Sequence, residues 1–187
     1  MPLGHSVDKV AYITFGVDRA ARAPFPWPAR PPICKLVIDD LYSDRILALA
    51  ANMPRAGRLA APDASSQKTS KLCGSTVTVD VVMHAGRVAE FAQDVRACAL
   101  GQASAAVLGD KVIGADLPEI EAARNALYAM LKSDGPPPSG RFADLYVLQP
   151  VKDYPARHAS TLLAFEAVLE AVRTATAPPR TITAVAG

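Results

Sequence analysis

No apolar stretch in the chain approaches the roughly 20 residues that a membrane-spanning helix needs. A membrane role is therefore not expected. Charge of one sign is missing too. Twenty basic against eighteen acidic residues leave a formal net charge of +2, too little to hold nucleic acid or an anionic membrane surface. Aromatic residues make up only 6%, so the core must come from alanine and aliphatic side chains. Histidine is scarce and scattered at His5, His84 and His158. There is no Gly-x-Ser-x-Gly elbow, no phosphate-cradling glycine loop and no His-Glu-x-x-His helix. An ordinary hydrolytic active site is therefore not expected. No secretory signal opens the chain, and three cysteines are an odd number. Both point to the reducing cytoplasm, with free or metal-bound thiols and no disulfide framework.

Half of the 187 residues are hydrophobic, which allows one domain with a substantial core. The sixteen prolines sit in clusters. Within residues 1–36, Pro24-Phe25-Pro26-Trp27-Pro28 and Pro31-Pro32 can form neither a helix nor a central strand, and the whole stretch looks like an appendage. It reads as a disordered or mis-annotated leader; the alternative of a transit peptide is weakened by Asp8 and Asp18. Cys34 belongs to this stretch and reads as neither ligand nor catalyst. The folded domain is expected over 37–175, with a disordered tail over 176–187.

Within the domain, Asp39 and Asp40 suit a helix start, and Leu41, Tyr42, Ile46, Leu49 and Met53 recur at helical spacing until Pro54 and Gly57. The polar run 63–69 is either a loop or an edge strand. Val77, Val79, Val81 and Met83 alternate with polar residues, the pattern of a strand with one buried face. His84-Ala85-Gly86-Arg87 reads as a turn with His84 solvated at its tip, and residues 88–95 return as the partner strand with Phe91 inward. Residues 98–108 are a small-residue helix that carries Gly101 despite its propensity cost. Asp116 and Glu119 form a capping box for a helix with Ile120, Ala123, Leu127, Met130 and Leu131 on one face. After Pro136-Pro137-Pro138, a last helix is expected from about 153–155, with Leu162, Phe165, Leu169 and Val172 in the core.

The chemistry gathers on two cysteines. Cys73 precedes the first strand of the hairpin, in Leu72-Cys73-Gly74-Ser75. Cys98 follows the hairpin at a helix N-terminus, where unpaired amides and the helix dipole favour a thiolate. A small buried hydrophobe is the alternative role for a free cysteine.

These blocks resemble the iron–sulfur cluster assembly scaffold family of IscU, SufU and the N-terminal domain of NifU. The resemblance runs over about residues 40–174. It rests on Leu72-Cys73-Gly74, the hairpin, Ala97-Cys98-Ala99-Leu100 with Gln102-Ala103-Ser104, Pro54-Arg55 with Gly57, and Pro155-Ala156-Arg157 before Leu162-Leu163-Ala164-Phe165. It implies an α+β fold of the IscU/SufE type, a small three-stranded antiparallel sheet packed by helices. It also implies a site of three cysteines and an aspartate that binds iron or a [2Fe–2S] cluster, or zinc in some members. The implied partners are a cysteine desulfurase that supplies sulfur and apo iron–sulfur proteins that receive the cluster, with assembly on one chain or across a homodimer.

Two positions depart from the family pattern. Ser75 stands at the aspartate and Ser160 at the third cysteine. The expected ligands are thus Cys73 and Cys98, completed by Ser160, by His158 if the first helical turn frays, or by a partner. Two further readings remain: a SufE-like persulfide acceptor, and a zinc-bound regulator of a desulfurase.

Overall fold

A hairpin forms the centre of the fold. The computed structural model describes residues 41–177; the leader, Cys34, Asp39, Asp40 and the tail from 178 lie outside the described residues. Strands β1 (Ala64–Thr69), β2 (Thr76–His84) and β3 (Arg87–Arg96) form an antiparallel sheet in the order β1-β2-β3. Ala85 and Gly86, at φ 49° and 75°, make the two-residue turn between β2 and β3. Positive φ at both positions matches the right-handed twist of the flanking strands. The polar run 63–69 resolves into β1, with Ser65 opposite Asp80 and Lys68 opposite Val77.

Around the sheet lie α1 (Asp44–Ala51), α2 (Ala99–Lys111), α3 (Leu117–Lys132) and α4 (Pro155–Thr176). A 3-10 segment, Gly140–Asp153, leads into α4. Helix α4 packs across β1 and β2, with α2 and α3 against it. Val77, Val79 and Val81 are completely buried beneath these helices. The predicted apolar face of α3 is its buried face, and the Asp116–Glu119 capping box is closed in both directions. Phe142 and Phe165 meet edge to face at 5.6 Å, tying the 3-10 segment to α4.

The sheet's polar side holds a second, buried polar centre. Asp80 has no exposed surface. It accepts two bonds from Arg58, at 2.6 and 2.8 Å, and others from the Ser65 hydroxyl and the Leu59 amide. These donors, the Arg58 side chain foremost, hold its carboxyl down at about 2. This joins β1, β2 and the segment after α1 at one point.

Candidate functional site

The connection 70–75 between β1 and β2 is a tight turn. The Ser70 amide donates to the Ser75 carbonyl at 2.8 Å, and the Gly74 amide donates to the Ser70 carbonyl at 2.9 Å. Gly74 takes φ +69°, a conformation glycine adopts without a Cβ penalty. The turn leaves Cys73 exposed, with its sulfur 3.3 Å from the Ser70 hydroxyl and 3.1 Å from that of Ser75. These hydroxyls, Ser70 first and then Ser75, bring the Cys73 thiol down to about 7, helped by the Ser75 backbone and the Ser160 hydroxyl. At that value roughly half of the sulfur is thiolate near neutral pH.

Cys98 is the N-cap of α2, without a capping bond from its side chain. Its sulfur lies 3.5 Å from the Ser160 hydroxyl, which in turn donates to the Arg157 carbonyl at 2.9 Å. Ser160 and Ser75 are both buried. The close approach of α2 to α4 needs Gly101: a Cβ there would meet the Ser160 carbonyl oxygen at 3.0 Å and the Ala97 Cβ at 2.9 Å. The small-residue character read from this helix therefore serves to set Cys98 against Ser160.

Cys73 and Cys98 line one open depression of about 390 Å³, together with Gly74, Ser75, Arg96, Ala97, Gln102 and Arg157. The hydroxyl of Ser160 bears on both sulfurs. His158 is not brought to this site. It is buried, its Nε2 is 3.1 Å from each of the carbonyl oxygens of Val151 and Lys152, and α4 begins regularly at Pro155. On a regular helix, positions two apart face different ways, and the frayed turn that His158 would need to join the sulfurs is not seen. His84 is exposed at the other end of β2 from the Cys73 turn.

Sequence reading did not single out Ser70, Arg96 or Arg157 as parts of the site. Their signal was present as a hydroxyl three residues before Cys73 and as cations close to Cys98 and Ser160 in the chain. Among the described residues, no group of three or more His, Cys, Asp or Glu gathers to hold a metal ion. Two thiols and a buried hydroxyl can bind a soft metal or a cluster incompletely, or carry sulfur on one thiolate.

The chain matches the model of the NifU-like N terminal domain over residues 41–161. It is 24% identical to the iron-sulfur cluster assembly scaffold protein IscU of Thermotoga maritima over 143 residues, 76% of this chain and 100% of that protein. The crystal structure of a nitrogen-fixing NifU-like protein (N-terminal) from Brucella abortus is 57% identical, with a TM-score of 0.73, over 74% of this chain and 96% of that one. A putative scaffold protein for the SUF system from Fervidobacterium islandicum shares the fold at 19% identity and a TM-score of 0.66, over 72% of this chain and 98% of that one. The family model spans most of the described domain and the fold is shared with these structures: the chain belongs to the NifU-like N-terminal domain family.

Proposed function

We propose that this chain is an iron–sulfur cluster assembly scaffold that holds iron or a [2Fe–2S] cluster as cargo on Cys73 and Cys98 and passes it to apo-proteins. Sulfur comes from a cysteine desulfurase, and the work is done in the cytoplasm by binding rather than by catalysis. The functional domain is 37–175, with 1–36 and 176–187 as appendages. Family membership and the scaffold relative in Thermotoga maritima support this reading. The observation that carries it is the convergence of the two thiols on one open depression. Cargo that must leave is better held by an accessible, incomplete thiolate set than by four buried ones. Ser160, although buried between helices, is a harder and weaker ligand than the cysteine the family pattern carries there, so it tunes the site more than it anchors metal.

Anaerobic reconstitution with iron and sulfide, in buffer containing glutathione, tests the proposal. The wild-type chain develops visible cluster absorbance and retains iron; Cys73→Ala and Cys98→Ala each lose both. A colourless wild-type chain that retains no iron overturns it.

A second reading, a SufE-like sulfur acceptor, is favoured by the exposed and acidified Cys73. Its thiolate would attack the outer sulfur of a desulfurase persulfide, breaking that S–S bond. The desulfurase thiolate would leave and Cys73 would carry the persulfide. Incubation with desulfurase and cysteine, without iron, then adds one sulfur atom to the mass of wild type and none to Cys73→Ser. Zinc at one per chain, with no iron or sulfide in freshly purified protein, would instead identify a zinc-bound regulator of the desulfurase.

A further inference from the structure

A [2Fe–2S] cluster takes four ligands from outside its core, and this chain brings two thiols to the site. No third His, Cys, Asp or Glu joins them among the described residues. Under the scaffold reading, the described residues leave ligand positions on the cluster to be filled. What surrounds the thiols decides their source.

Arg96 and Arg157 line the depression, and no carboxylate does. The Arg157 guanidinium makes no ion pair among the described residues. Arg96 has only a loose one, at 3.7 Å from Asp94, with 82% of its side chain exposed. Lys71 is exposed two residues before Cys73. A second copy of this chain, approaching to lend its own thiols, would set these cations against themselves, and like charges juxtaposed across an interface oppose association. A small anionic ligand would meet them as partners.

We infer that the site is completed by a low-molecular-weight thiol bearing carboxylates, with its sulfur on iron and its carboxylates on Arg96 and Arg157. Guanidinium groups suit this task, because their planar fork matches a carboxylate with two parallel bonds. The charges support it as well. Each carboxylate that such a thiol brings to the depression adds a negative charge that one of its two arginines offsets. Each incoming thiol releases its proton to solvent as its sulfur bonds iron; no electron moves, and both irons stay ferric. Ser75, where the family pattern has an aspartate, keeps the ligand side free of negative charge.

The test is anaerobic reconstitution of the full chain with iron and sulfide, while glutathione is titrated as the probe. Native mass spectrometry and visible circular dichroism supply the readouts. The expected species is one chain with one cluster and two glutathiones. Half-saturation should require about tenfold less glutathione than 2-mercaptoethanol, which has the thiol but no carboxylate. Arg96→Gln and Arg157→Gln should each raise the glutathione requirement several-fold and the mercaptoethanol requirement much less. S-methylglutathione should support no cluster. Equal requirements for the two thiols, a cluster formed without added thiol, or a cluster bridging two chains would each overturn this inference and leave the scaffold reading standing. Failure of the wild-type chain to take up iron with any thiol overturns both.

Discussion

The hydroxyl of Ser160 lies 3.5 Å from the sulfur of Cys98 and donates at 2.9 Å to the carbonyl of Arg157, one turn earlier on the same helix. A thiol at that position would stand beside Cys98 and bear on Cys73. Ser160→Cys is therefore expected to supply a third thiolate ligand. After reconstitution, iron loss to an added chelator should slow by about tenfold, which one additional bond of ordinary charged strength provides. An unchanged rate of loss would mean that position 160 does not face the cargo.

Cys73 owes its acidity first to the Ser70 hydroxyl and then to Ser75. Ser70→Ala removes the largest contribution, so the thiol should titrate higher than about 7. The sign follows from hydrogen bonds that favour the charged form. Alkylation by iodoacetamide, measured against pH in a Cys98→Ser background, should show its midpoint moving up. The rate near neutral pH should fall several-fold.

Asp80 and Arg58 give an ordered pair of outcomes. Asp80 has no exposed surface, while the Arg58 side chain is 54% exposed. Arg58→Gln leaves a buried carboxylate without its cation; Asp80→Asn leaves an arginine that water can reach. Arg58→Gln should therefore lower the urea midpoint more than Asp80→Asn does. The folded carboxyl titrates at about 2, below its unfolded value of about 3.9. Its stabilisation is full above about 4 and is lost as pH falls through about 2. In Arg58→Gln the folded carboxyl titrates closer to its unfolded value, so this acid loss is smaller and is complete at a higher pH.

His158 sits with its ring between two carbonyl oxygens of the preceding segment. Its replacement by alanine should cost about 1–2 kcal/mol in urea unfolding and leave the iron content of the reconstituted protein unchanged. Loss of iron without loss of stability would return His158 to the ligand set.

Gly101 separates two opposing contributions. Alanine there would gain about 1 kcal/mol of helix propensity but would place a Cβ 3.0 Å from the Ser160 carbonyl oxygen. Overpacking against a backbone costs about 1–3 kcal/mol, so a net loss of stability is expected. Cluster yield should fall with it, because Cys98 and Ser160 are forced apart.

Patterns short enough to be local were readable from the chain. Val77, Val79 and Val81 announce a strand by alternation, and Asp116 with Glu119 announces a helix start three residues apart. Cys73 and Cys98 were legible as a pair because they bracket a hairpin that returns the chain to where it began. The edge strand β1 was not, because Ser65, Ser66, Gln67, Lys68 and Thr69 carry no apolar signal; pairing with β2 makes it a strand. Asp80 reads as a polar position on a solvated face, and only Arg58, 22 residues away, explains its burial. For His158 the choice depended on whether the first turn of α4 frays. A proline at its start and a regular helix beyond it decide that question.

The two sulfurs rest on supports of unequal stiffness. Cys98 caps a helix wedged against α4 through the missing side chain of Gly101, whereas Cys73 sits at the exposed crest of a short turn. Under the proposed scaffold function, an incoming acceptor thiolate would reach the exposed Cys73 before the half-buried Cys98. Handover would then be stepwise, the cargo swinging out on a fixed post at Cys98 after its latch at Cys73 had opened.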